Sequence, residues 1–218
     1  MKSEVLAKNY SAIKSLSCGD YKNAVTAFRS TLQNLLDQVG SVDESLEGTD
    51  ILLEPVSCDP VNSSSILDCN SFLFYNKVFL IHEAEDRLSS ARQQNQVSVA
   101  ILYNMGLAFH LLATKSTVNQ HSNLTKALKL YEMALEANTK NDASEIENTF
   151  FLAIFNNMGN IYSHFMDEGR IQYCLEGMAY YLHCFCGPSE VVLDECLSHF
   201  QMNVALLYGS KIGVAPAA

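Results

Sequence analysis

Apolar positions recur at three- and four-residue steps over most of this chain and lose that period in one internal stretch. Val5, Leu6, Ile13 and Leu16, then Tyr21, Ala24, Val25, Phe28, Leu32 and Leu35, carry the spacing of two amphipathic helices across residues 3–38. "CGDY" (18–21) divides them: Gly19 suits a helix C′ position and Asp20 an N-cap, which predicts a helix–turn–helix. Over 39–71 the period stops and Gly, Ser, Asp and Pro become frequent ("GSVDESLEGTD", "CDPVNSSS"). Within it "ILLEPVS" (51–57) predicts a short strand, which Pro55 confines to a sheet edge. "FLFYNKVFLIH" (72–82), rich in β-branched and aromatic residues, predicts a second strand. Together they describe a β-hairpin with a long polar loop, inserted between helical units.

The helical period returns near Leu88. "SARQQNQVSVAILYNMGLAFHLLATK" predicts one long helix, "TVNQHS" a break and "NLTKALKLYEMALEAN" a partner helix. "NTKNDASEIE" is the next break, where Asp142 and Glu145 suit a reciprocal cap. "NTFFLAIFNNMGNIYSHFM" and "RIQYCLEGMAYYLHCF" form another pair, divided at "DEG" (167–169). Gly187-Pro188 ends that pair, and Ser189 suits the cap of a last helix, "EVVLDECLSHFQMNVALLY". Residues 210–218 read as a disordered tail.

Two of the predicted helices share a motif. "LYNMGLAFH" (102–110) and "FNNMGNIYSH" (155–164) align Asn104-Met105-Gly106 with Asn157-Met158-Gly159, 53 residues apart. A Gly inside a helix costs about 1 kcal/mol relative to Ala, so its repetition needs a reason. The first helix of each pair carries a small residue: Ala12, Gly106, Gly159 and, in the last helix, Ala205. An aromatic follows three residues later at Phe109, Tyr162 and Tyr208, though Ser15 breaks the rule. The second helices repeat a 4-then-3 spacing at Ala24–Phe28–Thr31, Ala127–Tyr131–Ala134 and Cys174–Met178–Tyr181. A small residue lets a partner helix pass directly over the backbone, and the aromatic fills the space one turn on.

This pattern resembles the tetratricopeptide repeat family: helix A, a Gly-Asp-Tyr-like turn and helix B, with small and aromatic residues at set places. "GDYKNAVTAF" (19–28) is close to the family's turn and second helix; "YNMGLAF" with "ALKLYEMAL", and "NNMGNIY", match its helices. The resemblance covers about 1–38 and 92–209. Departures exist: the family unit is about 34 residues, whereas these copies stand 53 and 46 apart, the family's Trp is absent, and its Pro has no match at Thr139. The resemblance implies a mostly α protein, an α-α superhelix of about three helical hairpins plus a C-terminal capping helix. It forms a single domain over 1–209, with 39–91 as an inserted acidic loop and β-hairpin. A generic helical bundle is the other reading, equally α with short connections.

Composition narrows the function classes. The net charge is −10, and 11 of the 24 acidic residues lie between Asp37 and Asp86 against the single base Lys77; the rest balances at 13 acidic and 13 basic. Such a chain lacks the Lys/Arg clusters that displace counterions, so neither nucleic acid nor an anionic membrane is an expected partner. The acidic stretch could attract a basic partner or serve as a solvated loop. No uninterrupted apolar run reaches membrane-spanning length, and "MKSEVLAKNY" has no apolar signal core. Seven cysteines at irregular spacing read as reduced thiols, which points to the cytoplasm, with the nucleus as the other compartment.

Candidate chemistry is sparse. "HCFC" (183–186) with Cys196 and His199 offers ligands of a type zinc accepts, but on a helix Cys184 and Cys186 point about 200° apart. No metal or other cofactor is expected, and no Gly-rich phosphate loop, H-E-x-x-H or G-x-S-x-G occurs, so an enzyme is not expected either. Where the resemblance puts a concave groove along the A helices, Asn104, Asn157 and Asn203 stand two residues before each small residue, and Tyr10 holds that place in the first repeat. A carboxamide is both donor and acceptor, so a ladder of them can pair with the backbone of an extended peptide; bonding to neighbouring helix groups is the alternative. Tyr103, Leu107, His110, Asn156, Asn160 and Ser163 are the neighbouring groove positions by helical spacing. The carboxylate clamp of some family members is matched only at Asn104, since Ala153, Asn157 and Ile13 stand at its other places. The expectation is a protein–protein interaction scaffold binding an extended segment of a partner. The alternative is a structural protein that forms homo-oligomers through the apolar last helix.

Overall fold

A computed structural model describes residues 4–38, 51–58, 72–82, 90–115, 117–138, 145–185 and 195–212. Among them are seven helices and one two-stranded sheet: α1 (Glu4–Ser17), α2 (Tyr21–Gln38), β1 (Leu52–Ser57), β2 (Lys77–His82), α3 (Ala91–Lys115), α4 (Gln120–Asn138), α5 (Glu145–His164), α6 (Glu168–Phe185) and α7 (Glu195–Ile212). The chain divides into two compact units: Met1–Ser63 with Asn76–Asn141, and Ser64–Tyr75 with Asp142–Ala218. The predicted mostly α class and inserted hairpin are present. The acidic loops, the 142–144 part of the predicted cap, the Gly187-Pro188 stop, Ser189 and residues 213–218 lie outside the described residues.

In the first unit α1 packs on α2, α2 on α3 and α3 on α4. The turn between α1 and α2 follows from its residues. Gly19 takes φ +76°, a left-handed value that a side chain would strain, and Asp20 accepts from the Asn23 N–H at 3.4 Å as N-cap. Val5, Ala12, Ile13 and Leu16 of α1 and Ala24, Phe28 and Leu35 of α2 are buried, as the spacing predicts. α3 is apolar on every face and long enough to cross a membrane by composition, yet most of it is buried inside the fold. Its start is a reciprocal cap that the sequence reading passed over: the Gln93 N–H donates to Ser90 Oγ at 3.2 Å and the Ser90 N–H to Gln93 Oε1 at 3.4 Å. α4 begins at Gln120, three residues before the predicted Asn123.

The hairpin pairs β1 and β2 antiparallel, Leu52 opposite His82 through Ser57 opposite Lys77. Pro55 opposes Phe79, a place where neither residue needs its partner's N–H, so proline is tolerated in this strand. Of the predicted 72–82 strand, Lys77–His82 forms β2 against β1, and just before it the Cys58 N–H donates to the Asn76 carbonyl at 3.3 Å. β2 lies on α3 and α1.

The second unit pairs α5 with α6 and sets α7 against both. Met166 holds a left-handed φ of 56° in the α5–α6 turn, and Asp167 Oδ1 caps α6 by accepting from the Arg170 N–H at 3.1 Å. α6 therefore starts at Glu168, inside the predicted "DEG" break. α7 runs on to Ile212, three residues into the predicted tail. Phe200 and Leu207 of α7 are buried within the fold, while Ala205, expected as its close-packing small residue, is exposed.

The repeated glycines have different roles. A Cβ on Gly106 would stand 2.9 Å from the Tyr131 ring and 3.4 Å from the Ala127 carbonyl, so α4 does pass over it. At Gly159 the nearest atoms are not those of α6. A Cβ there would fall among Phe72 ring atoms of the inserted segment, 2.6 and 2.7 Å from Cε2 and Cε1. Close approach between α5 and α6 occurs instead at Gly177, whose Cβ would stand 2.7 Å from the Phe155 ring.

Candidate functional site

The asparagines singled out by the repeat are buried, and each bonds main chain. The main chain is the protein's own segment 72–82. In the first unit the Phe79 N–H donates to Asn104 Oδ1 at 2.9 Å, and Asn104 Nδ2 donates to the Phe79 carbonyl at 2.9 Å. One carboxamide thus satisfies both backbone groups of one residue, as a neighbouring strand would. Phe79 can be read this way because Pro55 on the other strand asks nothing of it. The Tyr103 hydroxyl adds a bond to the Lys77 carbonyl at 3.2 Å, and its ring meets Phe79 edge-on at 5.1 Å.

The second unit repeats the device around Phe72–Tyr75. The Tyr75 N–H donates to Asn157 Oδ1 at 3.1 Å, and Asn157 Nδ2 donates to the Tyr75 carbonyl at 3.0 Å. The Leu73 N–H donates to Asn203 Oδ1 at 2.8 Å, and the Leu73 carbonyl accepts from Asn203 Nδ2 at 3.0 Å and Asn156 Nδ2 at 2.9 Å. His199 Nε2 lies 3.1 Å from that same oxygen. Asn160 Nδ2 donates to the Phe72 carbonyl at 2.6 Å. Leu73 and Tyr75, two residues apart, turn the same edge toward the helices, the alternation of an extended chain. The carboxamides also hold one another: Asn156 Nδ2 donates to Asn157 Oδ1 at 3.3 Å, and Asn203 Nδ2 donates to Asn156 Oδ1.

Of the sequence-predicted positions, Asn104 and Tyr103 gather at Lys77–Phe79, and Asn156, Asn157, Asn160 and Asn203 at Phe72–Tyr75. Leu107 is buried core, His110 faces the Tyr131 ring of α4 at 6.2 Å, and Ser163 bonds the Gly159 carbonyl of its own helix. Tyr10, the residue at that place in the first repeat, is 61% exposed; its neighbour Asn9 is buried, and among the described residues its Oδ1 has no hydrogen-bond partner. Sequence reasoning considered His199 only as a metal ligand and missed Phe200, whose ring lies 4.8 Å from Tyr75. Of the supposed zinc group, His183 and Cys184 are exposed, His199 is engaged with the segment, and Cys186 lies outside the described residues. Among the described residues no three His, Cys, Asp or Glu side chains gather as a metal site.

Chemically, the site matches neutral amides to amides. Asn104, Asn157 and Asn203 each bond both the N–H and the C=O of a single residue of the segment. Comparison with protein-family models, with curated proteins and with solved structures finds no match to this chain.

Proposed function

We propose that this chain is a non-enzymatic protein–protein interaction scaffold, tetratricopeptide-repeat-like in build, whose helix asparagines take up an extended segment of a partner by its main chain. The observation that carries this reading is the reciprocal pairing at Leu73, Tyr75 and Phe79, where single carboxamides bond both the N–H and the C=O of one residue. A protein that needed only to pack a hairpin could do so with apolar contacts. Asparagines are the groups that recognise an extended backbone whatever its side chains. The resident segment occupies them in the free chain, so a partner strand binds by exchange with it.

The test weakens the resident strand and offers a replacement. Leu73→Pro deletes the N–H that donates to Asn203 while leaving a half-buried side-chain position. A fluorescent peptide of sequence FLFYNKVFLIH should bind that variant saturably by anisotropy. Adding Asn157→Ala and Asn203→Ala should weaken binding by about 1000-fold, from four hydrogen bonds removed at about 1 kcal/mol each. A Leu73→Pro chain with wild-type helicity that takes up no peptide would discard the reading.

A further inference from the structure

We draw no further inference here: the strongest candidate, the outward face of α6 on which Tyr173 and Tyr180 stand exposed, carries none because nothing in the structure shows what covers it.

Discussion

Asn203 offers the sharpest test of whether carboxamides hold the inserted segment. It is 1% exposed and makes three hydrogen bonds: one from the Leu73 N–H, one to the Leu73 carbonyl and one to Asn156 Oδ1. The Leu73 carbonyl keeps Asn156 and His199 when Asn203 is truncated, so the loss concentrates on the N–H, which is left without its acceptor. A buried group so stranded costs about 1–3 kcal/mol and each lost bond about 0.5–1.5, which places Asn203→Ala at roughly 2–3 kcal/mol of destabilisation. Asn203→Asp keeps the acceptor but turns a second oxygen toward the Leu73 carbonyl and Asn156 Oδ1, both of them acceptors. The ionised form is therefore disfavoured, and the folded pKa rises above the unfolded value of about 3.9. A raised folded pKa contributes stability that is fully present below the unfolded value and is lost as pH climbs through the folded one. The Asp variant should accordingly approach wild type at pH 4, where its O–H replaces the amide donor, and fall below Asn203→Ala at pH 7. Urea unfolding of both variants against wild type at each pH, with hydrogen exchange at the Leu73 amide, measures this. Wild-type Leu73 protection in Asn203→Ala, or an Asp variant equally displaced at the two pH values, would refute the assignment.

Other substitutions separate the remaining roles. Asn9 is buried and among the described residues its Oδ1 has no partner, so Asn9→Leu should be neutral or stabilising in thermal unfolding, the opposite of Asn203→Leu. Glycine replacements should rank by what a Cβ meets: Gly169→Ala, 3.7 Å from the nearest atom, should be neutral or gain up to about 1 kcal/mol, Gly106→Ala should lose about 1–3 kcal/mol through Tyr131, and Gly159→Ala should expel Phe72 and deprotect residues 72–75. Asp20→Ala should cost about 1 kcal/mol and fray the start of α2, visible as faster amide exchange at Asn23.

Features decided by neighbours in sequence were legible before the structure. Gly19 and Asp20 define their turn by backbone conformation and one side-chain bond, both local, and Pro55 confined its strand by its missing N–H. The chemistry of the asparagines was legible too, because a carboxamide has few uses on a buried helix face. Their occupant was not. The bonds from Asn157 to Tyr75 and from Asn203 to Leu73 span 82 and 130 residues, and no periodicity encodes that distance. Gly159 was misassigned for the same reason, since its repeat partner Gly106 meets a helix adjacent in sequence and Phe72 is remote. The first repeat was already the exception to the asparagine series, with Tyr10 at that place. Val5, Asn9, Ala12 and Leu16 follow the i, i+4, i+7, i+11 stripe of a buried face, which counting back from the small residue ignored.

The tether sets a condition on any partner. Phe72–Tyr75 is joined covalently to the residues that receive it, and covalent linkage presents such a strand at an effective concentration on the order of millimolar. A free strand with identical contacts would therefore displace the resident only at comparable concentration, and micromolar affinity needs about 4 kcal/mol more than the resident supplies. The site as described offers little room for that gain through the backbone, because the N–H and C=O of both Leu73 and Tyr75 are already bonded. The surplus must come from better-fitting side chains on Gly159 and Phe200, or from contacts beyond Tyr75, or from weakening of the resident itself. Peptides lengthened stepwise at either end distinguish these sources: affinity that stays flat with length places the gain in the two aromatic seats, and affinity that climbs with length places it outside them.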